Sequence, residues 1–162
     1  MVSVREVVLV DGHSGSGKTD FARALADQHG FEVVSLDEVY PGWDGLDAGQ
    51  ALVVQKLLPV WLGTGSVEVP LWEWTTMSYS SHRVVSGSPG LVIEGCGAIS
   101  EASVSLASRS IWLDAPEAIR YERAISRDGE SYRPHWKRWA LQEQRFLMLH
   151  RSRDLADERI AT

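Results

Sequence analysis

The stretch "DGHSGSGKT", residues 11–19, follows the apolar run "REVVLV" and precedes "DFARALADQHG". Gly12, Gly17, Lys18 and Thr19 fit the spacing G-x-x-x-x-G-K-[ST], a loop that cradles phosphate oxygens with backbone N–H groups. Gly12, His13, Ser14, Gly15, Ser16 and Gly17 are the candidates for that cradle. The glycines let backbone approach the phosphates, and the following helix adds its positive N-terminal end. Lys18 would reach the β- and γ-phosphates of a bound triphosphate, and the Thr19 hydroxyl would ligate Mg²⁺. A Gly/Ser turn could match by chance, but here a strand pattern precedes the loop and a helix pattern follows it.

Outward from this loop, strands and helices alternate. Residues 4–10 form a short β-branched run, as expected of a parallel strand buried on both faces. Phe21, Leu25 and Gln28 keep helical spacing as far as Gly30, a C-cap candidate. "FEVVSLD" predicts a second strand ending at Asp37, and "EVYPGWDG" a turn-rich loop. Asp47 would cap a helix over "AGQALVVQKLLPVWL", with Val53, Leu57, Val60 and Trp61 on one face, Gly63 beyond it, and a bend or break at Pro59. "SVEVPLWEW" predicts a short strand leading into an aromatic loop. "PGLVIEG" and "RSIWLD" predict two further buried strands. Pro116 suits the first turn of a helix reaching Asp128. A long amphipathic helix is expected over 134–157, carrying Trp136, Trp139, Ala140, Phe146 and Leu147, and "ERIAT" suits a last edge strand.

That order predicts a three-layer α/β fold around a mostly parallel sheet with helices on both faces. In such folds ligands bind outside the carboxyl ends of the strands. Gly12–Thr19, Asp37, Glu94 and Asp114 all follow strand ends and would line one rim.

At 162 residues the chain suits one domain over 1–162, with enough length to bury a substantial core. The net charge of −6 argues against a nucleic-acid or anionic-membrane partner. The one cysteine, Cys96, excludes an internal disulfide framework and suits a reducing cytoplasm. Its thiol is either buried and inert or, if its thiolate is stabilised, reactive. No apolar run has transmembrane length, and the opening segment is too short in its apolar core for a secretory signal, so it is read as the first strand.

Two acids stand where phosphate chemistry would need them. A transferase acting on a hydroxyl requires a carboxylate near it, to accept or orient its proton. Asp37 could serve so, and could also help hold metal; its other reading, and the favoured one for Glu38, is a turn cap. Glu94 ends "LVIE", where it either holds Mg²⁺ or caps the next loop. Asp114 is read as a helix cap.

Arg120, Arg123 and Arg127 stand at i, i+3 and i+7, on one helical face. They either grip a triphosphate from a lid spanning about 117–135, hinged near "RDGESY", or form a solvated face paired with Glu117 and Glu122. Of seven tryptophans, Trp61, Trp112, Trp136 and Trp139 suit packing. Trp43, Trp72 and Trp74 sit in loops among acids. They could stack on a planar acceptor whose edge bonds Glu73, Tyr79, His82 or Arg83, or plug the lid against the core.

With "GHSGSGKT", "SLDEVY", "LVIEG" and "RYERAISRDGE" in this order, the chain resembles the uridine kinase-like branch of P-loop kinases. It looks most like the small actinobacterial-type members. The resemblance implies a P-loop NTPase fold, ATP and Mg²⁺ as cofactors, and transfer of a γ-phosphate to a small acceptor. By the same resemblance Asp37 serves the acceptor hydroxyl, and Tyr40 is the aromatic that ends its motif. Arg120, Arg123 and Arg127 are lid contacts to phosphate, with Lys18 completing the catalytic set. Glu73 and Trp74 fall on the acceptor side.

The sequence departs from this family in pairing Asp37 with Glu38, in the loop after Tyr40, and in a shorter C-terminal portion. Other readings are a nucleoside monophosphate kinase, a shikimate- or gluconate-type kinase, and a nucleotide-dependent switch with a protein partner.

Overall fold

A computed structural model describes residues 4–162. Residues 1–3, part of the single-domain reading and of the opening-segment reading, lie outside the described residues. Strands β1 (Glu6–Gly12), β2 (Glu32–Ser35), β5 (Gly90–Glu94), β6 (Arg109–Asp114) and β7 (Glu158–Ala161) form one sheet in the order β2-β5-β1-β6-β7. Every pairing in it is parallel.

The alternation of β1 decides the layers. Val7 and Leu9 join one core with Trp61, Trp139 and Phe146. Val8 and Val10 join a second core with Ala22, Leu25 and Ala26 of helix α1 (Lys18–His29). Each fully buried aliphatic side chain contributes roughly 1.5–3 kcal/mol, so both faces must be covered, and helices cover them.

Helix α2 (Leu46–Leu52), a wide turn over Val53–Leu57 and helix α3 (Leu58–Thr64) form one continuous rod. Pro59 neither breaks nor ends it. Leu58 N–H bonds Val53 O five residues back, and Pro59, with no N–H to give, opens the next turn. The rod is capped by Gly45 and Gly65 rather than by Asp47 and Gly63.

The expected aromatic loop is instead a hairpin. Strand β3 (Ser66–Glu73) pairs antiparallel with β4 (Ser78–Ser86), with an irregularity at Leu71/Trp72. Only Val85 of β4 is buried, so the strand shows no apolar alternation to read.

Helix α4 (Glu101–Val104) leads to β6, and α5 (Glu117–Asp128) begins after Pro116, which stands one residue before the helix. Two short turns, Gly129–Ser131 and Arg133–His135, lead to helix α6 (Trp136–His150). The expected long helix stops there. Arg151 takes a left-handed conformation, its N–H closing on Leu147 O, and helix α7 (Ser152–Leu155) follows. The buried Ser152 hydroxyl donates to Ile99 O at 2.6 Å, which redirects the chain under the loop after β5.

Candidate functional site

Register brings the strand ends to one rim. Val10 pairs with Glu94, Ser35 with Glu94, and Gly12 with Leu113. The loop from Gly12 to Thr19 therefore stands between the ends of β5 and β6, where the sheet order reverses.

Within this loop His13 O accepts Ser16 N–H at 3.1 Å and the Lys18 ammonium at 2.9 Å. Lys18 is nearly buried. Burial pushes its pKa down, but acids around it, Glu143, Glu94 and Asp11 among them, outweigh that and leave it raised. The lysine stays a cation. Thr19 Oγ1 donates to Glu94 Oε1 at 3.1 Å. These are hard oxygen donors, the set Mg²⁺ prefers when phosphates supply the rest of its shell. The Thr19–Glu94 pair fits that shared mode by its donor chemistry; among the described residues no group of three or more His, Cys, Asp or Glu stands together. Cys96 is buried, and burial holds its thiol well above the ordinary range, as for an inert side chain.

Gly15 has φ +81°, and a Cβ there would lie 2.2 Å from the Arg120 carbonyl oxygen. Gly17 shares a positive φ but faces open space. Gly15→Ala is therefore expected to cost about 3 kcal/mol, from strain plus overpacking against α5. Gly17→Ala should cost about 1 kcal/mol, from strain alone. Urea unfolding of the two variants checks the difference.

Asp37 lies just past β2 in a short turn, Leu36–Glu38, and is open to the cleft. The surrounding protein, and next the charge of Glu94, push its carboxyl up to about 6, while Lys18 and Arg127 pull against them. Glu38 is the cap: its side chain accepts Ser35 N–H at 3.0 Å. On α5, Arg120 donates to Ala115 O and Ser14 O, and Arg123 to Gly15 O and Thr162 O. Arg127 bonds Asp128, one residue along, with its charge felt at Asp37. The three arginines thus run along one face from the glycine loop toward Asp37. Ile119, Glu122, Arg123, Ser126 and Arg127 line a shallow, solvent-open surface on α5.

Several acceptor-side expectations need correction. Tyr40 is a core residue: its hydroxyl donates to Cys96 O at 2.5 Å, and its ring packs edge-on against Trp139. Arg83 is held by both Glu38 oxygens at 2.9 Å and by Val33 O, so its guanidinium braces β4 against the turn after β2. Glu73 accepts Thr75 N–H and Oγ1–H, which caps the hairpin turn and lowers its pKa. His82 is exposed on β4, 3.9 Å from Glu68. Asp114 is not a helix cap; it receives Trp112 Nε1–H and Arg153.

Trp74 does meet the site, donating its indole N–H to Asp37 O at 3.2 Å. Trp43 lies 4.8 Å from Trp74, stacks on His135 at 4.3 Å and meets Tyr132 and Trp139 edge-on. It therefore joins the turns after α5 to the core. Trp72 packs on Tyr79, whose hydroxyl donates to Val39 O at 2.6 Å and docks the hairpin on the Asp37 turn.

Two buried carboxylates escaped the sequence reading. Asp11, one residue before the loop's first glycine, accepts N–H groups from Gly12, Gly97 and Ile99 at 2.7, 3.1 and 2.9 Å. Burial raises its carboxyl to about 6 against those bonds. It ties the glycine loop to the turn after β5. Glu143 comes from α6, with Trp139 four residues before it and Phe146 three after, all three buried. A lone acid in that apolar stripe is the sequence signal that could have found it.

Known structures share the overall shape of this chain. A structure described as a possible uridine kinase from Bacillus stearothermophilus matches with a TM-score of 0.69 at 20% identity, over 99% of this chain and 90% of that one. What is shared is the fold, a parallel five-stranded sheet with helices around it. A structure assigned as a fructose transport system kinase from Silicibacter sp. TM1040 matches at 0.70 and 20% identity, over 98% and 90%. A gluconokinase from Sinorhizobium meliloti 1021 matches at 0.54 and 16% identity, over 99% and 83%. The family described as an AAA domain matches residues 7–61, the segment holding the glycine loop and the Asp37 turn. No curated protein matches the chain. Among the described residues, no helix is long and apolar enough to cross a membrane.

Proposed function

We propose that the chain is an ATP- and Mg²⁺-dependent phosphotransferase that moves the γ-phosphate to a hydroxyl of a small, uncharged acceptor, with a nucleoside as the first choice. One observation carries this reading: Lys18, the Thr19–Glu94 pair and Asp37 stand on a single rim, with charge coupling among Lys18, Glu94 and Asp37. A carboxylate beside the lysine and the Thr19–Glu94 pair is where an acceptor hydroxyl would need one.

Lys18 neutralises the β- and γ-phosphates, and Asp37 takes or orients the proton of the attacking hydroxyl. Mg²⁺, when bound through Thr19 and Glu94, lowers the charge on the transferred group. Arg120, Arg123 and Arg127 act from a lid over about 117–135, and hydrogen-bond the phosphates when it closes. Trp74, bonded to the Asp37 turn, offers a flat face to an acceptor.

A nucleoside monophosphate or a sugar acid would need a spare cation on the acceptor side. Arg83, read from sequence as one of the residues bonding an acceptor's edge, is already bidentate to Glu38. That favours a neutral acceptor.

The test is ADP release from Mg-ATP across nucleosides, nucleoside monophosphates, neutral sugars and hydroxy acids. Release that depends on a neutral hydroxyl compound is the expected result. Dependence on a phosphorylated or acidic acceptor would overturn the neutral-acceptor reading. Release independent of any acceptor would point to an ATPase or a switch with a protein partner.

A further inference from the structure

Helix α6 buries Glu143 between Trp139 and Phe146. A carboxylate in an apolar stripe is costly unless well partnered, so its partners are informative. One oxygen, Oε1, accepts Ser14 N–H at 2.7 Å and the His13 Nδ1–H at 3.2 Å, with the Cys96 thiol at 3.5 Å.

Ser14 N–H shares a peptide unit with the His13 carbonyl, and in a trans peptide these two groups point in opposite directions. A bond that draws the N–H toward α6 therefore turns the carbonyl away from α6 and into the loop. There it accepts Ser16 N–H and the Lys18 ammonium. The Tyr132 hydroxyl, from the turns after α5, steadies the same residue by donating to Ser14 Oγ at 2.8 Å.

We propose that Glu143 is a positioning residue for nucleotide binding, acting through the His13–Ser14 peptide unit to fix the carbonyl that holds Lys18. This rests on the reading of Lys18 as a triphosphate ligand. Glu143 acts through the loop backbone and sets where the lysine waits.

If the carboxylate merely completed α6 packing, replacing it would change stability and leave nucleotide affinity alone. Glu143→Met keeps the volume and removes the acceptor, whereas Glu143→Gln keeps an oxygen that can take Ser14 N–H. Mg-ATP affinity by calorimetry, KM for ATP and for the acceptor, and melting temperature are measured on both. Glu143→Met is expected to weaken Mg-ATP binding about ten-fold, the loss of one charge-assisted hydrogen bond. Its acceptor KM should hold within about two-fold, and Glu143→Gln should recover most of the affinity. Unchanged affinity in both variants, or an equal loss in both, overturns the proposal.

Should Glu143→Met fail to fold, amide exchange in the unsubstituted chain decides. Slow exchange at Ser14, kept in Glu143→Gln together with its Mg-ATP affinity, supports the grip; an unprotected Ser14 amide overturns it. Failure of the unsubstituted chain to bind Mg-ATP would instead refute the function proposed above, with Ser14 exchange still reporting on Glu143.

Discussion

Lys18→Met is expected to lower kcat/KM for ATP about a thousand-fold, or about 4 kcal/mol of transition-state stabilisation. The ammonium is the cation set in the middle of the glycine loop, and no neighbouring group can take its place. Arg120 and Arg123 donate to the outer carbonyls of Ser14 and Gly15 from α5. Methionine keeps the buried stem, so the loss belongs to the charge rather than to a cavity. Steady-state kinetics with varied Mg-ATP measures it; a fall below about ten-fold would remove Lys18 from the reaction.

The same substitution carries a stability signature whose sign can be worked out. Lys18 sits among Glu143, Glu94 and Asp11. The Asp11 carboxyl is already raised to about 6, above its ordinary value of 3.8. A folded-state pKa above the unfolded one means that stability falls as pH rises through about 4 to 6, and stays at the lower level beyond. Removing the cation deepens that penalty wherever Asp11 is ionised. Lys18→Met should therefore destabilise the fold more at pH 8 than at pH 5. Melting curves at the two pH values report it.

What the sequence made legible follows how local each signal is. The glycine loop is a contiguous pattern bounded by a strand and a helix, and its residues stand together without help from distant chain. The buried strands read through because both faces are apolar, as β5 shows with every residue from Gly90 to Glu94 buried. Strand β4 gave no such pattern, since it lies on a two-stranded hairpin with little beneath it. The aromatic residues were ambiguous for a physical reason. Tyr40 and Trp43 are large, amphipathic side chains that suit a core as well as a ligand, and only their neighbours decide. Arg83 suited an acceptor's edge because its partner Glu38 lies 45 residues away. Glu143 is more distant still from the loop it grips, at 130 residues from His13.

Asp37→Asn is the other large effect expected. If the carboxylate takes or orients the hydroxyl proton, the amide should cut kcat by about a hundred- to ten-thousand-fold, while KM for ATP changes little. The pH dependence separates this from a turn cap. With its carboxyl pushed up to about 6 by its surroundings and by Glu94, kcat/KM in the free enzyme should rise through pH 6 and level off above it. Asp37→Asn should have no such limb.

The cap assignment already belongs to Glu38, which takes Ser35 N–H, so Asp37→Asn is not expected to unfold the turn. Its effect on stability should run the other way. Folding raises the Asp37 pKa, so the ionised carboxylate is a cost that appears as pH rises from about 4 to 6 and persists at pH 7. A neutral amide relieves that cost, and the variant should melt at a higher temperature than the unsubstituted chain at pH 7, with the difference vanishing near pH 4. A less active and more stable variant is what a carboxylate held for chemistry predicts. Loss of both activity and stability would make Asp37 part of the scaffold, and the acceptor base would have to be sought elsewhere on the rim.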